Sequence, residues 1–328
     1  MEKASEKNEQ KNRLIVTGAA GFIGFHLTKS LLDSGYYVLG IDNLNNYYDV
    51  NLKNARLSIL QQNSNFIFKK FDICNLKELE KTFISFQPNK VINLAAQAGV
   101  RYSIKNPYAY LNSNLKGFLN IIELCCHNNV EGLIYASSSS VYGGNKKNPF
   151  SVNDRVDNPI SFYAATKLAN ELIANSYSHM YGLHTTGLRY FTVYGSWGRP
   201  DMAMMIFIKK ILAGEPISVF NHGNMKRDFT YINDIVSGTR SAIENNYKCE
   251  VFNLGNHKSE NLMDMIRLIE KNIKRKAVID FLPMQPGDVK ESFADIKYTT
   301  KMLSWSPKID IKTGIPIVID WYKKYYIK

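Results

Sequence analysis

Four cysteines in 328 residues are too few for a disulfide framework, and two of them, Cys125 and Cys126, are adjacent. Together with His127 they fall at the end of an apolar helical run, with no paired ligand spacing elsewhere, so packing is expected there and no metal site. Long hydrophobic runs are also missing: no segment offers the roughly 18 uncharged apolar residues of a membrane span. Residues 1–13 mix Lys and Glu with Asn and Gln and have no apolar centre, which predicts a solvated arm and not a signal peptide. Basic residues outnumber acidic ones, 41 to 29, for a net charge of +12. Apart from short groups at 271–276 and 323–328 they are scattered, without a long basic block or an RNP or zinc-finger signature, so no nucleic-acid partner is expected. These absences favour a globular chain in a reducing, cytoplasmic setting.

What is present is an ordinary globular composition, 45% hydrophobic and 21% charged, in a chain about twice the roughly 150-residue domain norm. The β-branched run Leu14–Thr17 breaks into Gly18-Ala-Ala-Gly21-Phe22-Ile23-Gly24. Helical periodicity follows to Asp33, and then a second apolar run, Tyr37–Ile41, ends at Asp42. Strand, glycine turn, helix, strand is the opening βαβ unit of a doubly wound sheet. Strand candidates recur at 66–71, 90–94, 132–136 and 184–189, separated by helix candidates at 76–86, 112–126 and 163–181. Such alternation predicts a parallel, Rossmann-like α/β sheet covered on both faces. Beyond Arg189 the alternation loosens. The expected division is residues 14–190 as the dinucleotide-binding domain, with 228–255 returning to it, and 191–227 plus 256–328 as a smaller C-terminal α/β substrate lobe.

Asp42 lies 42 − 24 = 18 residues beyond the last glycine of the turn. At that distance a carboxylate accepts hydrogen bonds from the adenosine ribose and repels a 2′-phosphate, which predicts NAD over NADP. Gly18 and Gly21 let the backbone approach a pyrophosphate at a helix N-terminus, where unpaired N–H groups favour anions. A second constellation is the serine run Ser137–Ser140 at a strand end, followed by Tyr163-Ala-Ala-Thr-Lys167. Tyr163 and Lys167, four residues apart, share a helix face. Alone such a pair is usually a surface feature. After a glycine turn and a strand-end serine it reads as a tyrosine base whose phenolate is favoured by the neighbouring ammonium and an oxidised nicotinamide.

At these residues the sequence resembles the extended short-chain dehydrogenase/reductases, the NAD-dependent epimerases and dehydratases of nucleotide sugars. Within them it is most similar to UDP-glucuronate 4-epimerases. The resemblance runs through Gly40–Asp49, Ala95–Ser103, Thr192–Gly195, Trp197–Met202, Arg227–Tyr231 and Gln285–Val289, nearly the whole chain after the arm. It implies that Tyr163 removes the proton of the sugar 4-hydroxyl, with Ser138 sharing it and Lys167 holding phenolate and nicotinamide ribose, while a hydride passes from C4 to NAD. The transient 4-keto sugar turns over and the returned hydride inverts C4, so NAD is regenerated and stays tightly bound. The cofactor contacts implied are Gly18, Gly21, Phe22, Ile23, Gly24, Asp42, Asn43, Asp72 and Ile73, Leu94, Ala95, Ala96 and Gln97, and Asn114, Tyr163, Lys167, Tyr190 and Phe191. The substrate contacts implied are Arg101, Ser139, Ser140, Thr192, Arg199, Arg227, Gln285 and Asp288.

Departures narrow the reaction. Similar dehydratases carry an Asp-Glu pair where this chain has Ser139 and Ser140, and related UDP-glucuronate decarboxylases carry Glu at the position of Ser140. Thr192 replaces an Asn common in relatives acting on neutral hexoses. With Arg199 it is suited to a uronate carboxylate by charge-assisted hydrogen bonds, although Arg199 also fits a lobe-joining ion pair. The expected function is interconversion of UDP-glucuronate and UDP-galacturonate. The rivals are a UDP-hexose 4-epimerase, a UDP-glucuronate decarboxylase and a non-catalytic NAD-bound scaffold. A homodimer built on the helices at 112–126 and 163–181 is implied by the family, though sheet packing explains their apolar stripes equally.

Overall fold

The computed structural model describes residues 12–285 and 287–327; most of the expected N-terminal arm therefore lies outside the described residues. The first strand shows why the sheet must be covered on both sides. Leu14 and Val16 pack among Phe25, Leu27 and Leu31, while Ile15 between them packs among Leu79, Phe83 and Ile121. Alternate side chains of one strand thus feed two separate apolar layers.

The large sheet has seven strands: β1 (Arg13–Thr17), β2 (Tyr37–Asp42), β3 (Phe66–Lys70), β4 (Lys90–Asn93), β5 (Gly132–Ser138), β6 (Thr185–Tyr190) and β7 (Cys249–Leu254). All neighbours pair in parallel, in the order β7-β6-β5-β4-β1-β2-β3. The chain leaves β1 toward β2 and later returns to β1's other side as β4, so the strand order reverses there and a crevice opens at the strands' C-terminal ends.

On one face lie α1 (Phe22–Asp33), α2 (Val50–Leu60) and α6 (Ile232–Asn245), contributing Leu27, Leu57 and Ile235 to the first layer. On the other lie α3 (Leu76–Phe86), α4 (Gly117–His127) and α5 (Phe162–Tyr181), contributing Phe83, Ile121 and Ala174 to the second. Their boundaries follow local chemistry. Asn75 caps α3 by accepting from the Glu78 N–H at 3.3 Å, and Ser161 caps α5 by accepting from Ala164 at 3.1 Å. Gly182, at φ 70°, ends α5 in the left-handed conformation that glycine adopts without cost.

Helices Ala203–Ala213, Leu262–Ile273 and Ile311–Tyr326 and the parallel strand pair Ile217–Phe220 with Ile279–Leu282 form a smaller layer beyond the sheet. Ile208, Val219, Met265 and Ile315 from this layer join the same apolar cluster as α1 and α6, so one core runs through both parts.

The structure departs from the sequence reading at the helix expected over 112–126. Leu111–Lys116 winds as a π-helical turn, and only then does α4 begin. The wider turn places Asn114 inside, where its side-chain oxygen accepts from the Gln97 N–H at 2.8 Å and its amide donates to the Gln97 carbonyl and Thr166 Oγ1, both at 3.0 Å. π turns of this kind occur frequently beside functional sites.

Candidate active site

A cleft of about 990 Å³ opens over the switch point between β1 and β4. Its first wall is the glycine turn. Gly18 has φ +71° and sits so close to the next strand's end that a Cβ would meet Ala95 N at 2.8 Å, while a Cβ on Gly24 would strike the Gly18 carbonyl oxygen at 2.0 Å. Only glycine lets the turn fold this tightly onto α1. Thr17 Oγ1 donates to Asn93 Oδ1 at 2.6 Å and accepts from the Ala95 N–H at 3.1 Å, locking the two strand ends together. The N-cap of α1, Gly21, supplies no side-chain hydrogen bond. The first-turn N–H groups of Phe22, Ile23 and Gly24 therefore have no side-chain acceptor, and these residues line the cleft.

Asp42 and Asp72 stand further along this wall. Asp42 is buried and accepts from the Ala20 N–H at 3.1 Å and the Leu44 N–H at 2.8 Å. Burial pushes its carboxyl up, and the Leu44 N–H and the Lys53 ammonium oppose that shift. At Asp72 the balance goes the other way. Burial again raises it, but the Cys74 N–H at 2.8 Å and the Asn43 amide at 2.7 Å bring it below the ordinary carboxylate range. Asn43, Ile73, Leu94, Ala95, Ala96, Gln97, Tyr190 and Phe191 complete this half.

Ser138, Tyr163 and Lys167 meet on the floor of the cleft. Ser138, the last residue of β5, accepts from the Ser140 hydroxyl at 2.9 Å and the Ser140 N–H at 3.2 Å. Lys167 is buried, and burial alone lowers its ammonium to about 8. It donates to the Ala136 carbonyl at 2.8 Å. Burial raises Tyr163, and the groups that pull it back down are the Ser138 hydroxyl and the Arg199 guanidinium. The Tyr110 ring stands edge-on to Tyr163, with centroids 5.9 Å apart at 73°.

The opposite wall is cationic. Arg101, Ser139, Ser140, Thr192, Arg199, Arg227 and Asp288 all line the cleft. Arg227 donates to Asp288 at 2.8 Å, and Arg101 reaches the same carboxylate at 3.9 Å while its guanidinium lies 5.0 Å from the centre of the Phe220 ring. Burial lowers Arg227, with Asp288 opposing. Arg199 is paired with Asp201, Nε to Oδ1 at 3.0 Å and Nη2 to Oδ2 at 2.5 Å; the Asp201 contacts hold its guanidinium above the ordinary value against burial.

Two expected contacts are not part of the wall. Asn114 stands behind it as the support of Gln97, because its polar atoms are consumed by the Gln97 backbone and the Thr166 hydroxyl. Gln285 lies away from the lining, its Oε1 buried without a described partner. Gly255 also stays outside; a Cβ there would meet Asp228 Oδ2 at 2.8 Å, so it serves packing. The structure adds Tyr47, Tyr48, Lys53, Asp201 and Phe220 to the wall. Tyr47, Tyr48 and Asp201 fall inside segments that carry the family resemblance, and that was the available signal; Lys53 and Phe220 had none.

The wall fits a dinucleotide by its own chemistry. An uncapped helix N-terminus faces the cleft, a carboxylate stands at the ribose distance, and the side-chain amide nitrogen of Gln97 is buried without a partner. Among the described residues no group of three or more His, Cys, Asp or Glu is disposed to hold a metal, and no described helix is long and apolar enough to cross a membrane.

Comparison with known proteins agrees with this geometry. UDP-glucuronate 4-epimerase 4 of Arabidopsis thaliana is 45% identical, over 95% of this chain and 76% of its own. The crystal structure of UDP-glucuronic acid 4-epimerase from Bacillus cereus, in complex with UDP-glucuronic acid and NAD, superposes with a TM-score of 0.91 at 36% identity, covering 96% of this chain and all of that one. UDP-glucose 4-epimerase from Thermotoga maritima, with UDP-glucose, superposes at 0.86 with 30% identity, covering 95% and 99%. The sequence pattern of the NAD dependent epimerase/dehydratase family matches residues 14–255, and the chain belongs to that family.

Proposed function

We propose that this protein is an NAD-dependent 4-epimerase that interconverts UDP-glucuronate and UDP-galacturonate. The observation that carries the reading is the position of Arg199: it lines the same cleft as Ser138, Tyr163 and Lys167 and is close enough to Tyr163 to lower its phenol. A uronate carries its carboxylate on C5, next to the reacting C4. A base for the 4-hydroxyl and a cation for the carboxylate therefore have to be near neighbours.

Tyr163 takes the 4-hydroxyl proton, and Ser138, beside it at the end of β5, shares it. Lys167, already shifted to about 8, supplies a nearby charge that offsets the phenolate. The chemistry supplied by bound NAD is removal and return of the C4 hydride, and the residues that would hold it are the glycine turn, Asp42, Asp72 and Leu94–Gln97. Arg227 and Arg101, held beside each other by Asp288, bind the diphosphate and leave the keto sugar free to present its other face. The 4-keto uronate is a β-keto acid prone to lose CO₂. Arg199, Thr192, Ser139 and Ser140 hold its carboxylate out of the cleaving geometry.

A second copy of the chain is the proposed partner. Leu119 of α4 and Leu172, Met180 and Tyr181 of α5 are exposed, Leu172 by 63%, and two such helix pairs form a four-helix interface. The four unpaired cysteines suit the cytoplasm.

The test is incubation of purified protein with UDP-glucuronate and no added NAD, followed by anion-exchange chromatography with mass detection. A product of unchanged mass co-eluting with UDP-galacturonate is expected. Loss of CO₂ overturns the reading of Ser140. A neutral UDP-hexose is the alternative substrate, favoured by one observation, that Asp201 already neutralises Arg199; turnover of UDP-glucose with none of UDP-glucuronate would establish it.

A further inference from the structure

Arg56, in the second turn of α2, is fully buried, at 0% exposure. A buried guanidinium ordinarily faces a carboxylate, as Arg189 faces Glu171 at 2.7 Å. The described hydrogen bonds of Arg56 go to three oxygens instead, none of them a carboxylate: the Ala20 carbonyl at 2.8 Å, the Tyr48 hydroxyl at 2.8 Å and the Trp197 carbonyl at 2.5 Å. Its Nε is buried without an acceptor, and it does not line the cleft.

The three oxygens belong to three different loops at the C-terminal edge of the sheet. Ala20 is inside the glycine turn. Tyr48 is in the loop after β2, where Lys53 Nζ lies 4.5 Å from its ring centre and Arg56 5.6 Å. Trp197 is two residues before Arg199 and has φ 59°, a left-handed conformation that costs a bulky residue about 1–3 kcal/mol and persists only where its surroundings enforce it. Those surroundings are visible: the Arg56 bond to its carbonyl, and a ring packed against Phe25, Trp321 and Tyr325 at 5.6, 5.3 and 5.0 Å. Next to Tyr48, Tyr47 holds the same segment from its other end. Its hydroxyl donates to Asp201 at 3.4 Å and its ring lies 5.7 Å from the Arg199 guanidinium.

We propose that Arg56 is a positioning residue that ties the cofactor turn to the loop bearing Arg199, so that one buried cation sets both the seat of the pyrophosphate and the orientation of the group that meets the acidic sugar. The inference rests on the reading of Arg199 given above. Bridging three acceptors from one side chain requires the planar fork of arginine; a lysine ammonium is a point charge that cannot span them. A small displacement at either loop is then felt at the other.

The test uses Arg56→Lys in the full chain, with a Tyr163→Phe background to stop turnover. Two quantities are read: NAD carried per chain after gel filtration, and the Kd of UDP-glucuronate relative to that of UDP, by calorimetry on NAD-saturated protein. Arg56→Lys is expected to lower retained NAD by about half or more and to raise the UDP-glucuronate to UDP ratio about tenfold, with UDP itself unmoved. A lower Tm with both readouts unchanged makes Arg56 merely structural and overturns the proposal. A change in only one of the two overturns the coupling. Arg199→Ala separates the failures. If it leaves the ratio unmoved, the reading of Arg199 fails and takes the proposal with it; if it moves the ratio and Arg56→Lys does not, the proposal fails alone. Should Arg56→Lys not fold, Tyr48→Phe removes one of the three oxygens without opening the core. About a threefold change in both readouts is then expected, and no change in either overturns the proposal.

Discussion

Two arginine–carboxylate pairs in this protein share one geometry and have opposite surroundings. Arg189 gives Nε and Nη2 to Glu171 at 2.9 and 2.7 Å, gives Nη1 to the Tyr142 hydroxyl at 2.9 Å, and has its partner further occupied by Ser137. Arg199 gives the same edge, Nε and Nη2, to Asp201, and its Nη1 has no described partner. The first pair is 4% and 8% exposed, the second 20% and 34%. Identical side-on pairing therefore locks one guanidinium into the frame that carries β5, β6 and α5, and leaves the other with a free end on the cleft. What a charged pair does is decided by the donors it leaves over.

The largest expected effect tests the closed pair. Glu171→Ala leaves Arg189 buried and uncompensated, which costs about 3–5 kcal/mol of unfolding free energy, read by urea denaturation. Arg199→Ala, at a half-open site, is expected to cost under about 1 kcal/mol and to lower kcat/KM for UDP-glucuronate by roughly 10- to 100-fold, the loss of a charge-assisted hydrogen bond. A Glu171→Ala protein as stable as the parent would break the comparison.

Lys167 extends it to a buried cation with no carboxylate at all, only the Ala136 carbonyl. Its ammonium falls from 10.5 to about 8 on folding because burial disfavours the charge. The unfolded chain therefore binds the extra proton between about pH 8 and 10.5, and stability contributed by this group rises with pH across that window. Below pH 8 the full penalty is present. Compared with Lys167→Met, the cofactor-free parent should gain roughly 3 kcal/mol between pH 8 and 10.5, seen in paired urea titrations. Parallel pH profiles for the two proteins would show that Lys167 keeps its ordinary proton affinity.

The same contrast explains what could be read from sequence. The closed parts were legible because they rest on local pattern: Leu14–Thr17 is a continuous run buried on both faces, Gly18 to Gly24 mark a turn, Tyr163 and Lys167 fall on one helix face. Asp42 was legible by its distance from the turn. The π turn at Leu111–Lys116 was not, because a one-residue widening leaves the apolar spacing of a helix intact. Asn114 was assigned to the cleft when it stands behind it, and spacing cannot tell a wall residue from its support. Arg56 sits in a short helix with no mark of its own, since its three acceptors come from residues 8, 36 and 141 positions away. Nor was Asp201 singled out; only the folded chain shows that it consumes two of the donors of Arg199.

Asp201 is where the open pair can be sharpened, and the effect expected is the smallest. If Asp201 orients Arg199 side-on, Asp201→Asn keeps one acceptor for Nε and loses the one for Nη2, so the guanidinium keeps its charge and loses its aim. The expected result is a fall of about three- to fivefold in kcat/KM for UDP-glucuronate, carried mainly by KM, with unfolding free energy within about 1 kcal/mol of the parent. A rise in kcat/KM would mean that Asp201 competes with the sugar carboxylate for Arg199 more than it aims it. The pair would then be a mask removed on binding, and UDP-glucose, which has no carboxylate to displace Asp201, should show no change in the same variant. Orientation and masking thus predict opposite signs for one substitution, and the initial rate at low UDP-glucuronate separates them.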